Sequence, residues 1–140
     1  GDIGIQLELR YEDVPTWLKR VYHRYDFQMN VNYFYQLPDP VLGVHRHYGT
    51  DQIRKGTHFV NSSRYSNPKL DALLDAGAGE PDAAKRTAAY KEIQQILADD
   101  MPVVNLFELE FLVVYNTKLK GAYGSAMGAY GSFREAYLDD

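Results

Sequence analysis

The stretch Asn67–Phe107, NPKLDALLDAGAGEPDAAKRTAAYKEIQQILADDMPVVNLF, decides how the chain is read. Asn67 can cap a helix, and Pro68 falls at the first helical position, where its missing N–H costs nothing. Leu70, Leu73 and Leu74 then form an i, i+3, i+4 apolar stripe. Gly77 and Gly79 are expected to end that helix. Asp82 is a candidate cap for a second helix, with Ala89, Ile93, Ile96 and Leu97 on its buried side. Pro102 cannot continue a helix, so the chain is expected to leave it for a β-rich run starting at Val103.

Working outward, Ile3, Ile5, Leu7 and Leu9 alternate with polar residues, the pattern of a strand with one wet face. Val14, Trp17, Leu18 and Val21 recur at helical spacing, and Pro15 suits the first turn, so a helix should follow. Trp17 lies on that stripe and reads as a core anchor. A second strand is expected over Tyr25–Tyr35. Strand, helix and strand in succession make a βαβ unit, which implies parallel strands and a right-handed crossover.

Along the second strand Phe27, Met29, Val31 and Tyr33 face one way, and Gln28, Asn30 and Asn32 the other. A row of amides suits either an exposed sheet face or the polar wall of a cleft at the carboxyl end of a parallel strand. The chain then leaves through Pro38-Asp39-Pro40, so the segment up to it reads as an extended loop.

From Val103 to Asn116 the run VVNLFELEFLVVYN is longer than one strand, and Glu108 and Glu110 are expected to mark a bend between two. Asn105 and Phe107 in this run read first as core packing. In the tail Gly-Ala-Tyr-Gly-Ser occurs at 121–125 and again at 128–132. Two copies are too few for a solenoid, and glycine at this density means turns. Tyr130, Phe133, Tyr137 and Leu138 read as a closing segment. Ser125 lacks the G-x-S-x-G frame of a hydrolase nucleophile.

The bulk numbers narrow the classes. At 140 residues and 45% hydrophobic composition, the chain is one domain by size with material for a core. A net charge of −4 and a pI near 5.5 argue against nucleic acid or an anionic membrane as partner. The absence of cysteine excludes disulfides and thiolate metal sites. No apolar run is long enough to span a membrane. His45, Arg46 and His47 would put two imidazoles on one face of a strand, but no carboxylate or thiolate follows at ligand spacing. Asn61-Ser62-Ser63 is a glycosylation sequon by pattern.

The ordered set of motifs resembles one family. Tyr65-Ser-Asn-Pro-x-x-Asp71, the helical pair, and the Asp99-Asp-x-Pro102 exit are similar to the C-terminal part of bacterial extracellular solute-binding proteins of family 5. These are the dipeptide, oligopeptide and nickel binders of ABC importers. Such proteins are several times longer, so the resemblance implies a fragment, the last quarter of one. It implies an α/β fold: a periplasmic-binding-protein type II-like lobe with a βαβ unit plus helical hairpin, as a partial domain. Residues 1–106 would belong to the second ligand-binding lobe and 107–140 to a strand and tail returning toward the first.

In peptide-binding relatives a similar segment begins with Trp, has Asp three residues on and ends with Pro seven residues on. Here Tyr33, Gln36 and Pro40 stand at those places. The resemblance therefore implies that Asn32, Tyr33, Phe34, Tyr35 and Gln36 line the ligand site. An amide at Gln36 carries no charge to offset a buried ammonium, which disfavours a peptide held by its free N-terminus. The implied function is the substrate-binding component of an ABC importer, taking a peptide-like or other small polar solute in an interlobe cleft. No cofactor, metal or catalytic residue is implied. The partners would be the solute and membrane permease subunits, in a periplasmic or extracellular location. A ligand-sensing module for a receptor is an alternative, and so is a hydrolase domain with Asp39 or His45 as base.

Overall fold

The computed structural model describes residues 4–35, 37–109, 112–122 and 130–139. Its centre is the helical pair α3, Pro68–Gly79, and α4, Ala83–Asp100. Both expected caps are in place. Asn67 Oδ1 accepts from the N–H groups of Lys69 and Leu70 at 3.0 and 3.2 Å. Asp82 Oδ1 accepts from Ala84 and Lys85, both at 2.9 Å. Each cap satisfies two of the donors that a helix start leaves open. Met101 ends α4 in the left-handed region at φ 44°, and Pro102 follows.

The facing stripes bury Leu70, Leu74 and Ile93, with Leu73, Ile96, Leu97, Tyr65 and Tyr90 packed around them. Gly77 does not end α3. It lies inside the helix, where a Cβ would stand 3.1 Å from Cε2 of Tyr90, so the missing side chain lets the ring pack against the backbone. The two short motifs that flank the pair grip each other. Tyr65 donates its hydroxyl to Asp100 Oδ2 at 2.5 Å, and Asn67 Nδ2 donates to the same oxygen at 3.0 Å. Asp71 Oδ1 accepts from the Thr50 N–H at 2.9 Å. Burial, reinforced by the adjacent carboxylate, pushes the Tyr65 phenol up to about 12. These residues form a structural clasp at one end of the hairpin.

A second core forms near the N-terminus. Helix α1, Val14–Leu18, is capped by Asp13 and continues into a π-helical turn, Lys19–Arg24, that stops at Tyr25 with φ 53°. Val21, Tyr22 and Val60 are buried there, with Trp17, Leu18 and Phe27 against them. Trp17 meets the Tyr22 ring edge-on at 5.7 Å, as a core anchor should. Arg20 ties the element to its flanks through Glu12, at 2.6 Å, and Asp26.

Between the cores run helix α2, Val44–Tyr48, and 3-10 turns at Pro40–Leu42 and Thr50–Gln52. Buried Asn61 joins them. Its Nδ2 donates to the carbonyls of Gly49 and Tyr65 at 3.0 and 2.8 Å. Its Oδ1 accepts from Ser63 Oγ at 3.0 Å and the Tyr65 N–H at 3.2 Å. The sequon asparagine is thus occupied in the interior and offers no amide for a glycan.

The strands are where the structure departs from expectation. Residues 5–11, 25–35 and the described parts of 103–116 carry no ladder, so the helix of the expected βαβ unit stands without paired strands beside it. Ile3 lies outside the described residues. The pairing among the described residues is antiparallel, β1 (Leu119–Lys120) on β2 (Tyr137–Leu138). A strand has to find backbone partners outside itself, and alternation specifies the face but not the neighbour. In the tail Gly121 makes the strand pairing possible. Its φ is +69°, and a Cβ would come within 2.2 Å of the Glu135 carbonyl oxygen. Residues 123–129, including Ser125 and parts of both Gly-Ala-Tyr-Gly-Ser copies, lie outside the described residues.

Candidate ligand-binding site

After a bend at Gln28, burial alternates residue by residue over 29–35. The faces are the reverse of what a buried apolar row requires. Asn30, Asn32 and Phe34 turn toward the protein and are half-buried, whereas Met29, Val31, Tyr33 and Tyr35 are exposed. Asn32 explains the choice. Its Nδ2 donates to the hydroxyl of buried Tyr22 at 3.1 Å, and its Oδ1 accepts from the Tyr33 N–H at 2.8 Å. Burial raises the Tyr22 phenol above its ordinary range, while hydrogen bonds with Ser62, Phe59 and Asn32 oppose that shift. Phe34 rests on the ring of His47, centroid to centroid 3.8 Å. Burial, with Arg46 next to it, brings His47 down to about 4, so a neutral imidazole receives the Phe34 ring.

Outward, Tyr33 and Tyr35 meet edge to face with centroids 6.0 Å apart, and Tyr130 meets Tyr35 the same way at 5.9 Å. A hydrogen bond with Tyr130 raises the Tyr35 phenol, with burial adding to it. Three phenols thus form one aromatic surface with polar rims, able to stack on planar or apolar parts of a solute and to hydrogen-bond its edges. Tyr130 is a member that sequence reading assigned only to a closing segment. Gln36 lies outside the described residues.

The exit turn is anchored from far along the chain. Asp39 Oδ1 accepts from the Val41 N–H at 2.9 Å and from Arg86 Nη2 on α4 at 2.8 Å. The first bond, then the guanidinium, holds the Asp39 carboxyl below its usual range. Arg86 stacks over Tyr90 at 5.6 Å, and the Tyr90 hydroxyl meets His45 Nε2 at 3.0 Å. Burial keeps His45 below its ordinary value although Asp75, Asp51 and Asp39 pull the other way. Asp39 and His45 are therefore employed as structural partners. His45 and His47 sit on a helix, two residues apart, one against Tyr90 and the other against Phe34. They share no metal position. Arg46 Nε is buried with no hydrogen-bond partner among the described residues. Asn105 and Phe107 lie on the exposed segment away from either core. A groove of about 520 Å³ beside α1 and another of about 740 Å³ at residues 113–122 are not lined by residues 32–35. No described helix is long and apolar enough to cross a membrane.

Known proteins add a coarse answer. The chain is 38% identical over 66 residues to protein XP55 of Streptomyces lividans, 47% of this chain and 12% of that protein. It is 34% identical over 61 residues to the probable D,D-dipeptide-binding periplasmic protein DdpA of Escherichia coli K12, 44% of this chain and 12% of DdpA. It is 31% identical over 80 residues to the probable ABC transporter periplasmic-binding protein SapA of the same organism, 57% of this chain and 14% of SapA. DdpA and SapA are periplasmic binding proteins by name. Their similarity supports a solute-binding role at the family level and fixes no substrate for this chain. DdpA and SapA are not enzymes by name. The matches span only a small part, 12–14%, of those relatives. No family model matches the chain, and no solved structure matches it.

Proposed function

We propose that the chain is part of the substrate-binding component of an ABC importer, of the family 5 type, delivering a peptide-like or other small polar solute to membrane permease subunits. The partial similarity to DdpA and SapA carries this reading. By the same reading it works in the periplasm or outside the cell. It is an α/β chain that contributes to a periplasmic-binding-protein type II-like lobe, residues 1–106, with 107–140 returning toward the other lobe. Such a protein closes two lobes on its solute and breaks no bond.

The proposed contact segment is Asn32, Tyr33, Phe34, Tyr35 and Gln36. Asn32 and Phe34 brace it from behind, and Tyr33 and Tyr35 present ring faces outward. The solute is not anchored by a free N-terminal ammonium, because Gln36 supplies no counter-charge and a charge-assisted bond is worth roughly twice a neutral one. The test is calorimetry on the intact protein with di- and tripeptides and their N-acetylated forms. Binding indifferent to acetylation, and weakened about tenfold by Tyr33→Ala or Tyr35→Ala, is the expected result. Micromolar binding that disappears on acetylation overturns the reading of Gln36. Binding unmoved by any substitution over residues 32–36 overturns the site.

A further inference from the structure

Outside the tyrosine surface, a pair of exposed histidines is brought together across a long separation in sequence. His23, at the π-helical turn, and His58, in the loop after Gly56, bring their Nε2 atoms to 3.0 Å. Their rings lie 5.2 Å apart and are inclined by 54°. The backbone builds this pairing. Gly56 donates its N–H to the Tyr22 carbonyl at 2.8 Å, which pins the loop to the turn that carries His23. Gly56 has φ +89°, and a Cβ there would already touch Cε1 and Nδ1 of His23 at 3.7 Å. Buried Tyr22 backs the His58 ring at 5.8 Å, and neighbouring Phe59 packs on Tyr22 as well. Both imidazoles stay open to solvent on their outer sides.

We propose that His23 and His58 form a two-nitrogen chelate for a divalent transition metal, with copper(II) preferred. The site is independent of the solute proposed above. In the metal-free pair one Nε2–H points at the lone pair of the other; on metal binding that proton moves to Nδ1 of its own ring, and a turn of both rings aims the two freed Nε2 lone pairs at one ion. With metal–nitrogen bonds of about 2.0–2.1 Å, nitrogens 3.0 Å apart subtend roughly 90–100° at the metal. Two imidazole nitrogens this close can take adjacent positions on one ion. Imidazole also suits copper, and divalent affinity peaks at copper in the usual order. Among the described residues no group of three or more His, Cys, Asp or Glu gathers, so water completes the coordination. Lys19 and Arg24 line the same groove and repel the cation. A bidentate site under that field should bind in the micromolar range.

The experiment is a copper(II) titration of the tag-free chain at neutral pH by calorimetry, with electron paramagnetic resonance on the loaded protein. One copper per chain with two coupled nitrogens is expected. His23→Gln and His58→Gln should each weaken binding at least about tenfold, with an unchanged circular dichroism spectrum. Lys19→Gln should tighten it. His45→Gln, whose imidazole is engaged by Tyr90, should leave it unaltered. Dissociation constants above about 100 µM for the unmodified chain, nitrogen coupling that survives both His23→Gln and His58→Gln, or an equal loss in His45→Gln would each overturn the proposal.

Discussion

The helical hairpin α3–α4 and the extended segments around it are both apolar at regular spacing, yet they end in opposite environments. Leu70, Leu74 and Ile93 are almost wholly buried, whereas Leu7 is 70%, Leu112 92% and Val114 95% exposed. The difference is one of self-sufficiency. A helix closes its backbone bonds internally, and two helices joined by a short connection meet face to face with little search. An extended segment needs a neighbouring strand for most of its N–H and C=O groups, and among the described residues these segments pair with none. The hairpin is therefore the part that should resist perturbation, and the extended runs the part whose fate depends on what they meet.

The largest effect should come from the hairpin core. Leu70→Ala removes a fully buried side chain from the junction of both helices, so a loss of about 2–5 kcal/mol is expected in urea unfolding. A loss well under 1 kcal/mol would mean that the hairpin is not the stable centre, and the contrast with the extended runs would collapse.

Next is a pH effect in the connector. His47 has a folded value of about 4 against an ordinary 6.5, because burial disfavours its charged form. A lowered histidine value means that the unfolded chain binds the proton more readily. Stability is thus complete above about pH 6.5 and falls between there and pH 4, by at most about 3 kcal/mol. His45, shifted the same way by burial, adds to the slope. Asp39 and Asp100 titrate below their ordinary value and lose their contribution only at more acid pH. His47→Gln should flatten the curve between pH 6.5 and 4 without moving the more acid transition. An unchanged slope would show that His47 is not the sensor.

Asn61→Ala should cost about 2 kcal/mol, since it removes four hydrogen bonds and strands the carbonyls of Gly49 and Tyr65. The comparison variant is Asn61→Asp, which keeps the acceptor and loses the donor. If both are neutral in chemical denaturation, the two cores are not linked through this side chain.

These outcomes bear on what was legible in the sequence. Asn67-Pro68, Asp82 and the leucine stripe encode their helices within a few residues, and the structure has those caps and that core. Tyr22 was within reach too, because it stands four residues after Leu18 on the same stripe. The orientation of residues 30–35 was not. Which face turns inward depends on Asn32 finding Tyr22, and the anchoring of the exit turn depends on Arg86, 47 residues beyond Asp39. No local pattern carries either contact. The proposed ligand segment was visible as an amide and tyrosine run, but Tyr130, from the far end of the chain, had no signal tying it to Tyr35.

The smallest stability effect should be found where the chain is most apolar and least covered. Leu106→Ser and Val114→Ser each replace a side chain that is largely exposed, at 67% and 95%, so almost no apolar area returns to water on unfolding. Each should shift unfolding by no more than about 0.5 kcal/mol. Solubility should move more, because an uncovered row of apolar side chains on unpaired backbone is a template for edge-to-edge association. Sedimentation of the two variants beside the unsubstituted chain would then show less self-association at equal stability. A stability loss of 2 kcal/mol or more from Val114→Ser would mean that this side chain is covered in solution. The exposed segment would then have a partner strand, and the difference between the two regions would be one of distance along the chain rather than of burial.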